Sequence, residues 1–541
     1  MTRPRICVLP ITLAFVLWIS SVAAHAQSFA GVLTYHNDDA RTGQNLAETV
    51  LTPANVNAAS FGKLRQWKVD GYVYAQPLYV LHVRVRHRTR DLVLIVTEHD
   101  SVYAFDPDSR GKLPIWHKSF LSKKDDVTTV PSLLLSSFDI VPEVGITSTP
   151  VVDPAAGTIF VVAKTLEQGT NIVLRLHALE ITTGLERPGS PVVLSATVPG
   201  YGAGNSGGTV TYDDKTSNQR SALALVDGVV YVANASHGDI PPYHGWILGY
   251  DETSLAQVAV FNDTPNGSNG GIWMSGSGPA ADSGGNLFVS TGNGTFDAAS
   301  GGIDYGDSFL KLNRSGGSLH VADYFTPWNQ AYLNDNDLDL GSGGLILLPD
   351  QAGDAPHEVI GGGKAGAIYV VKRDAMGGYD TASESNSQIV QEIDDQTGAM
   401  LSCPAYFNGY VYFGGVDSPV TQFQLNDGLL SGTPIHSTSS RTFGFPGTTP
   451  AISANGTSNP ILWTIESDTF GAPFGHATLY AFDANDISIE LYDSGQAGAR
   501  DLPGPAVKFT VPTIASGKVF VGGQYSVTEY GLLDAKGKPR R

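Results

Sequence analysis

Cysteine, methionine and charged residues are scarce in this sequence. Its 541 residues include 2 Cys, 4 Met and 16% charged side chains, against 62 Gly and 31 Pro. Low charge and abundant glycine exclude a coiled coil and a highly charged disordered chain. Cys7 falls in the predicted leader described below, which leaves Cys403 as the single cysteine of the mature chain. We therefore expect no intrachain disulfide and no cysteine-based zinc site, and stability must come from a packed core.

Basic residues are also too few to favour a nucleic-acid ligand. The chain has 33 Lys and Arg against 52 Asp and Glu, a net charge of −19, and loss of Arg3 and Arg5 with the leader makes it −21. A protein this acidic is repelled by a phosphate backbone, although it can attract a cation.

The first 26 residues have the pattern of a secretory signal peptide. Arg3 and Arg5 form a short basic segment, Ile6–Val22 is mostly apolar, and Ala24-His25-Ala26 places small residues at a cleavage site. A retained membrane anchor is the alternative, which the good cleavage site disfavours. No later run reaches the length of a membrane-spanning helix, so we expect an exported protein, periplasmic or extracellular, with no membrane span.

Pairs of short β-rich runs separated by turn residues recur along the chain. Eight such pairs are found: 91–97 with 101–106, 157–163 with 174–180, 228–233 with 245–251, 286–291 with 308–313, 358–361 with 367–372, 409–414 with 421–425, 460–464 with 477–483, and 517–522 with 528–531. No segment has a sustained helical apolar period, so long helices are not expected.

The repeated units predict an all-β fold. Their number and size are typical of an eight-bladed β-propeller of four-stranded antiparallel blades, here spanning 27–533 and followed by a polar basic tail at 534–541. A closed ring requires pairing of N- and C-terminal segments, and the strand-like Gly31–Tyr35 is the predicted outer strand of the last blade. Two stacked β-sandwiches are the alternative, which the even spacing of the units disfavours.

Several segments resemble the quinoprotein alcohol dehydrogenase family, whose members are eight-bladed propellers that bind pyrroloquinoline quinone (PQQ) and a metal ion. Ala104–Trp116 is similar to the repeat element A-x-D-x-x-T-G-x-x-x-W of that family, with Ser109-Arg110 disturbing the Thr-Gly pair. Tyr35–Thr42 and the segment from Asn55 to Trp67 are similar to the beginning of the family's propeller.

The resemblance implies a quinone site. Gly270–Trp273 is similar to the segment that supplies the tryptophan beneath the quinone, so Trp273 would stack on the cofactor. Lys364 would contact the quinone oxygens and stabilise charge that develops on them. The segment 334–339 resembles D-x-W-D-x-D, which implies that Asp337 is the base that accepts the alcohol proton while hydride passes to the quinone.

The same resemblance implies a site for Ca²⁺ or a similar hard cation. Asn293, at the end of 287–293, would coordinate the ion, and Asp339 would be an additional ligand. Asp239 stands where the family has a glutamate ligand, although Glu167 is a rival for that position. All of these side chains offer oxygen, which Ca²⁺ prefers, and the bound ion would polarise a quinone carbonyl.

The sequence also departs from the family pattern. The vicinal cysteine pair that covers the other face of the quinone is impossible with one mature cysteine, and no Arg lies at the matching place within 139–146. His244 stands in place of the arginine near the glutamate ligand, and no Cys-x-x-Cys-His haem motif occurs.

Two functions follow from these observations. The first is an exported PQQ- and metal-dependent dehydrogenase that oxidises an alcohol or a sugar. The alternative is a propeller that has lost the cofactor and serves as a scaffold for a protein or glycan partner. A propeller hydrolase or lyase is a third possibility, for which we find no supporting residue set. In either of the first two cases we expect a monomer.

Overall fold

The computed structural model describes residues 30–438, 441–472 and 475–539, so the predicted signal peptide, 1–26, lies outside the described residues. In these ranges the chain is almost entirely β-structure, which confirms the predicted all-β class. The helices described are one α-helix, Gln330–Asp335, and five 3-10 helices, Ser132–Leu135, Met274–Gly276, Ala298–Ser300, Leu340–Ser342 and Gly498–Arg500. None of these helices is long and apolar enough to cross a membrane.

The first half of the described chain forms four larger sheets and one small hairpin. Sheet 1 contains Gly31–Val32, Leu78–Val85, Arg88–Thr97, Ser101–Phe105 and Trp116–Ser119. Sheet 2 contains Val127–Pro131, Glu143–Val144, Val151–Asp153, Thr158–Glu167, Asn171–Glu180 and Val192–Val193. The small hairpin consists of Thr197–Pro199 and Thr209–Thr211. Sheet 3 contains Ser217–Asn218, Ala224–Val226, Val229–Ser236, Trp246–Asp251 and Gln257–Asn262, and sheet 4 contains Ala280–Ala281, Leu287–Ser290, Phe309–Ser315 and Ser318–Phe325.

The second half of the described chain forms four more sheets. Sheet 5 contains Ile346–Leu347, Glu358–Gly362, Ile368–Lys372 and Gln391–Ile393. Sheet 6 contains Ala405–Phe407, Tyr410–Gly414, Val420–Asn426, Leu429–Leu430 and His436–Ser437. Sheet 7 contains Gln44–Asn45, Ala451–Asn455, Ser458–Glu466, Thr478–Asp483 and Glu490–Asp493, and sheet 8 contains Phe61–Tyr72, Thr513–Ala515 and Lys518–Leu532. All the predicted runs overlap these strands. The prediction of 517–522 and 528–531 as two strands of one pair is wrong, because both lie in the single strand Lys518–Leu532, whose two halves pair with different neighbours.

The apolar cores lie between consecutive sheets. Separate clusters of buried side chains join sheets 2 and 3, 3 and 4, 4 and 5, 5 and 6, 6 and 7, and 7 and 8. A further cluster joins sheet 8 to sheets 1 and 2, so the packing order returns to its start. Two separate sandwiches do not have this cyclic order. No sheet in the described ranges closes on itself, and the count of eight blades stays a prediction.

The N- and C-terminal segments pair, but through a different strand from the predicted one. Gly31–Val32 pairs with Leu78–Val85 in sheet 1, so the assignment of Gly31–Tyr35 to the last blade is wrong. The outer strand of sheet 8 is instead Phe61–Tyr72, which pairs with Lys518–Leu532. Its many polar residues conceal it in the sequence, because they lie between the buried positions Phe61, Trp67 and Val69.

The single cysteine of the predicted mature chain is part of the core. Cys403 is fully buried, and the Ser277 hydroxyl lies 3.5 Å from its Sγ. Burial raises the pKa of the thiol to about 12. The reactive thiolate is therefore scarce at neutral pH.

Trp67 links the two terminal segments, and its removal should destabilise the protein. The fully buried indole stacks on Phe105 and Phe520 at ring-centroid distances of 4.6 and 5.9 Å. We expect Trp67→Ala to lower the free energy of unfolding by about 3–5 kcal/mol, because it leaves a large cavity. Urea unfolding followed by circular dichroism measures this loss.

Trp67→Phe is the matched control for this prediction. The indole Nε1 is buried without a hydrogen-bond partner among the described residues, so phenylalanine keeps the aromatic stacking and removes an unpaired donor. We expect the phenylalanine variant to unfold close to the wild-type urea concentration. Equal stability of Trp67→Ala and wild type would contradict a structural link at this position.

Candidate functional site

Most of the site residues predicted from the sequence lie at one edge of the sheets. In sheet 4, Ala280–Ala281 pairs antiparallel with Leu287–Ser290, so the residues before Ala280 and after Ser290 meet at the same edge. Sheets 3 and 5 repeat this antiparallel pairing of a first strand with a second. Segments far apart in sequence therefore come together through the same local geometry.

A cavity of about 220 Å³ opens at this edge. Its aromatic lining comes from Tyr243, Trp273, Phe445 and Phe509. Its charged lining consists of three acids and three bases: Asp139, Asp239, Asp339, Arg220, Lys364 and Lys508. Aromatic surfaces beside charges of both signs suit a flat, polar ligand.

The six site residues predicted from the sequence lie at or beside this cavity. Four of them line it: Asp239, Trp273, Asp339 and Lys364. The other two, Asn293 and Asp337, are hydrogen-bonded to the side chains that do. The rival residue Glu167 lines a different pocket, where it pairs with Arg175.

Lys364 is the centre of the polar cluster. Its Nζ lies 2.8 Å from Oδ1 of Asp337 and 2.7 Å from Oδ2 of Asp339, and 6.0 Å from the centre of the Trp273 ring. Burial lowers the pKa of Lys364, but the two carboxylates outweigh burial and the pKa is raised. Burial also raises the pKa of Asp339, against the effect of the lysine. Lys364 therefore stays protonated and holds both acids.

Asn293 fixes the positions of the same two acids. Its backbone N donates to Oδ1 of Asp339 at 2.7 Å, and its Nδ2 donates to Oδ1 of Asp337 at 3.0 Å. The preceding Gly292 permits this approach, because a Cβ there would lie 2.6 Å from Oδ1 of Asp339. Oδ1 of Asn293 is buried and has no hydrogen-bond partner among the described residues. An additional ligand would satisfy this oxygen.

Asp337 presents one free carboxylate oxygen to solvent. The side chain is 73% exposed, and both described hydrogen bonds are accepted by Oδ1. Its backbone is in the left-handed region, with φ of 56°. Oδ2 is thus held at the cavity rim without a hydrogen-bonding neighbour among residues 30–438, 441–472 and 475–539.

Asp239 lies on the Tyr243 side of the cavity and has separate partners. Its Oδ1 accepts hydrogen bonds from the Ser236 and Tyr243 hydroxyls, each at 3.1 Å. Burial is the main cause of the raised pKa of Asp339, and the negative charge of Asp239 raises it further. In the described part of the chain, no group of three His, Cys, Asp or Glu side chains is arranged to hold a metal ion.

Several lining residues were missed by sequence reasoning. Arg220 and Lys508 are isolated basic residues without a motif, and Phe509 is one apolar residue in a loop. Asp139 is the first residue of 139–146, the segment in which the family resemblance predicts an arginine and the sequence has none. The lone Arg220 directly before an apolar run was the available signal, but its burial depends on tertiary packing.

The comparisons with known proteins locate this chain among solved structures. No known family profile matches it, and no curated protein matches it significantly. A quinohemoprotein alcohol dehydrogenase from Comamonas testosteroni is 14% identical, with a TM-score of 0.59 over 96% of this chain and 82% of that chain. A second quinohemoprotein alcohol dehydrogenase, from Pseudomonas putida HK5, is 13% identical, with a TM-score of 0.57 over 94% and 81%.

A europium-containing methanol dehydrogenase gives a similar result. It is 12% identical, with a TM-score of 0.56 over 93% of this chain and 98% of that chain. At such low identity the likeness concerns the fold and not the activity. The chain therefore has the propeller fold of these alcohol and methanol dehydrogenases, in a form that diverges strongly from them in sequence.

Proposed function

We propose that this protein is a PQQ-dependent dehydrogenase that oxidises an alcohol or a sugar. The observation that carries the proposal is the hydrogen-bonded array of Asn293, Asp337, Lys364 and Asp339 beside Trp273. This array combines a free carboxylate oxygen with a fixed cation and an aromatic surface at one cavity. These groups are what proton abstraction beside a bound quinone requires.

The residues present fit PQQ. PQQ is a flat tricarboxylate, and the cavity has aromatic walls and an ammonium group fixed 6.0 Å from the centre of the Trp273 ring. Trp273 and Lys364 would hold the cofactor. When bound, PQQ would supply the acceptor for the hydride of the substrate.

The protein's own acids and bases would handle the proton. Oδ2 of Asp337 would accept the hydroxyl proton of the substrate, because Oδ1 is already engaged by Asn293 and Lys364. Lys364, held by two carboxylates, would keep its proton and stabilise negative charge at the reacting oxygen. Asn293 would keep Asp337 oriented through the reaction.

A hard cation is part of the proposal. Asp239, Asn293 and Asp339 would hold it, and the buried, unpartnered Oδ1 of Asn293 supports this assignment. All three donors are oxygens, which suits Ca²⁺, but Ca²⁺ takes about six to eight oxygens. Most of its coordination would therefore come from water or from a bound ligand.

We also propose that the eight sheets are eight blades and that the protein is exported.

Asp337→Ala should abolish the reaction without unfolding the protein. The substitution removes the proton acceptor, and general-base catalysis contributes about a hundredfold or more to rate. We expect the protein reconstituted with PQQ and Ca²⁺ to oxidise alcohols or sugars in a dye-linked assay. The variant should lose at least this factor in kcat while its thermal midpoint remains near that of the wild type.

Asp335→Ala is the matched control. Asp335 is an exposed acid two residues away, and its described contact is with the neighbouring Asn334. It should keep full activity. A wild-type protein that neither binds PQQ nor oxidises any alcohol or sugar would support the scaffold alternative instead.

Calcium should tighten the binding of PQQ, and Asp239→Asn should reduce this effect. Asparagine keeps an oxygen that can accept from Ser236 and Tyr243 but removes the negative charge that would attract the ion. Calorimetric titration of the purified protein with PQQ, with and without Ca²⁺, measures the difference, and Asp335→Asn is the control. Equal affinity with and without Ca²⁺ in the wild type would remove the cation from the proposal and leave the quinone.

A further inference from the structure

Arg220 is a buried cation that forms no ion pair with any residue of the described chain. Its side chain lines the cavity and is 6% exposed, yet none of the described residues forms a hydrogen bond or an ion pair with its guanidinium. Its Nε is buried and unpaired. A buried charge with no partner is strongly destabilising, and proteins rarely tolerate one outside a binding site.

Two acids act on Arg220 without forming an ion pair with it. The negative charge of Asp139 attracts the guanidinium, but its carboxylate instead accepts from the Ser137 hydroxyl at 2.6 Å and from Nδ2 of Asn218 at 3.1 Å. Nδ1 of His237 also lies 3.5 Å from it. Burial raises the pKa of Glu98 to about 8, so this acid is mostly uncharged at pH 7.

Lys508 is a second cation on the same side of the cavity. Burial and the positive charge of Arg220 lower the pKa of Lys508 to about 8, and no described residue forms an ion pair with it. Both cations rest on one aromatic ring: Cζ of Arg220 lies 4.1 Å and Nζ of Lys508 5.6 Å from the centre of Phe509. The backbone of Phe509 has φ of 65°, a strained conformation for an aromatic residue.

We propose that Arg220 and Lys508 form a carboxylate-binding subsite beside Phe509. The planar guanidinium can donate two parallel hydrogen bonds to a carboxylate, and the ammonium adds a second charge. Trp273, Phe445 and Phe509 line the same cavity, so the fitting ligand is an aromatic carboxylate. The carboxylate can belong to the quinone cofactor or to a substrate. The subsite itself stands independently of the dehydrogenase proposal.

The test compares 2-naphthoate with its neutral analogue 2-naphthamide. Calorimetry at pH 7, where Lys508 is protonated, should show binding of 2-naphthoate to the wild-type protein and much weaker binding of the amide. Arg220→Met should weaken 2-naphthoate binding by about thirtyfold or more, and Lys508→Met by a smaller factor. Arg441→Met removes an arginine that is paired with Glu490 away from the cavity, and it should leave binding unchanged.

Thermal unfolding shows whether the variants remain folded. Methionine fills a volume similar to that of the arginine stem and removes an unpaired buried charge, so Arg220→Met should raise the thermal midpoint. Arg220→Lys keeps the charge but loses the planar group that donates two parallel hydrogen bonds, so this variant should bind 2-naphthoate with intermediate affinity. The subsite is overturned if 2-naphthoate fails to bind the wild type, or binds Arg220→Met as tightly.

Titration with PQQ and its trimethyl ester identifies the source of the carboxylate. If PQQ binds, its ester binds weakly and Arg220→Met loses PQQ affinity, the cofactor occupies the subsite. If 2-naphthoate binding depends on Arg220 while PQQ does not bind, the subsite stands, the carboxylate belongs to another ligand and the dehydrogenase proposal fails. If PQQ and its ester bind equally and Arg220→Met changes neither PQQ nor 2-naphthoate binding, the subsite fails and the dehydrogenase proposal survives.

Discussion

The antiparallel pairing of two successive strands in each of the three sheets around the cavity is the constraint on which the site depends. The pairs are Ala224–Val226 with Val229–Ser236, Ala280–Ala281 with Leu287–Ser290, and Ile346–Leu347 with Glu358–Gly362. In sheets 3, 4 and 5 this pairing brings the segment before the first strand of the pair and the segment after the second to one edge. Trp273 precedes a first strand, whereas Asn293 and Lys364 follow second strands. Because the cores join consecutive sheets, these edges converge on one cavity without any long-range sequence signal.

The cavity is electrostatically asymmetric. At one side, Lys364 is neutralised by Asp337 and Asp339, which are in turn fixed by Asn293. At the other side, Arg220 and Lys508 form no ion pair with any described residue, although the negative charge of Asp139 acts on both. This difference would orient a ligand that carries a carboxylate, because only one side of the cavity has cations without an ion-pair partner. The chain as a whole is acidic, so its composition does not explain this local excess of positive charge. The excess arises because folding brings Arg220 and Lys508 together.

Sequence reasoning predicted the strands well and their partners less well. Runs such as 228–233 are apolar, β-branched and bounded by glycine, and these local features are enough to indicate Val229–Ser236. Which N-terminal segment pairs with the last sheet depends on long-range contacts. The prediction named Gly31–Tyr35, whereas Phe61–Tyr72, with its many polar residues, is the strand that pairs. In the site, Trp273, Asn293 and Lys364 were found through family resemblance. Arg220 and Lys508 belong to no motif, because only packing reveals that a basic residue is buried and unpaired.

The absence of an ion pair at Arg220 lowers the stability of the empty site but favours the binding of a carboxylate. A methionine of similar size would fill the space at lower energetic cost, since burying an unpaired guanidinium opposes folding. Retaining the charge is understandable when a bound carboxylate returns more free energy than the empty site loses. The strained backbone at Phe509 is likewise unfavourable for folding. It places the phenyl ring against Arg220 and Lys508, so that both cations contact one aromatic surface. Arg220 and Phe509 thus each lower the stability of the empty protein and each supply a group for binding the carboxylate.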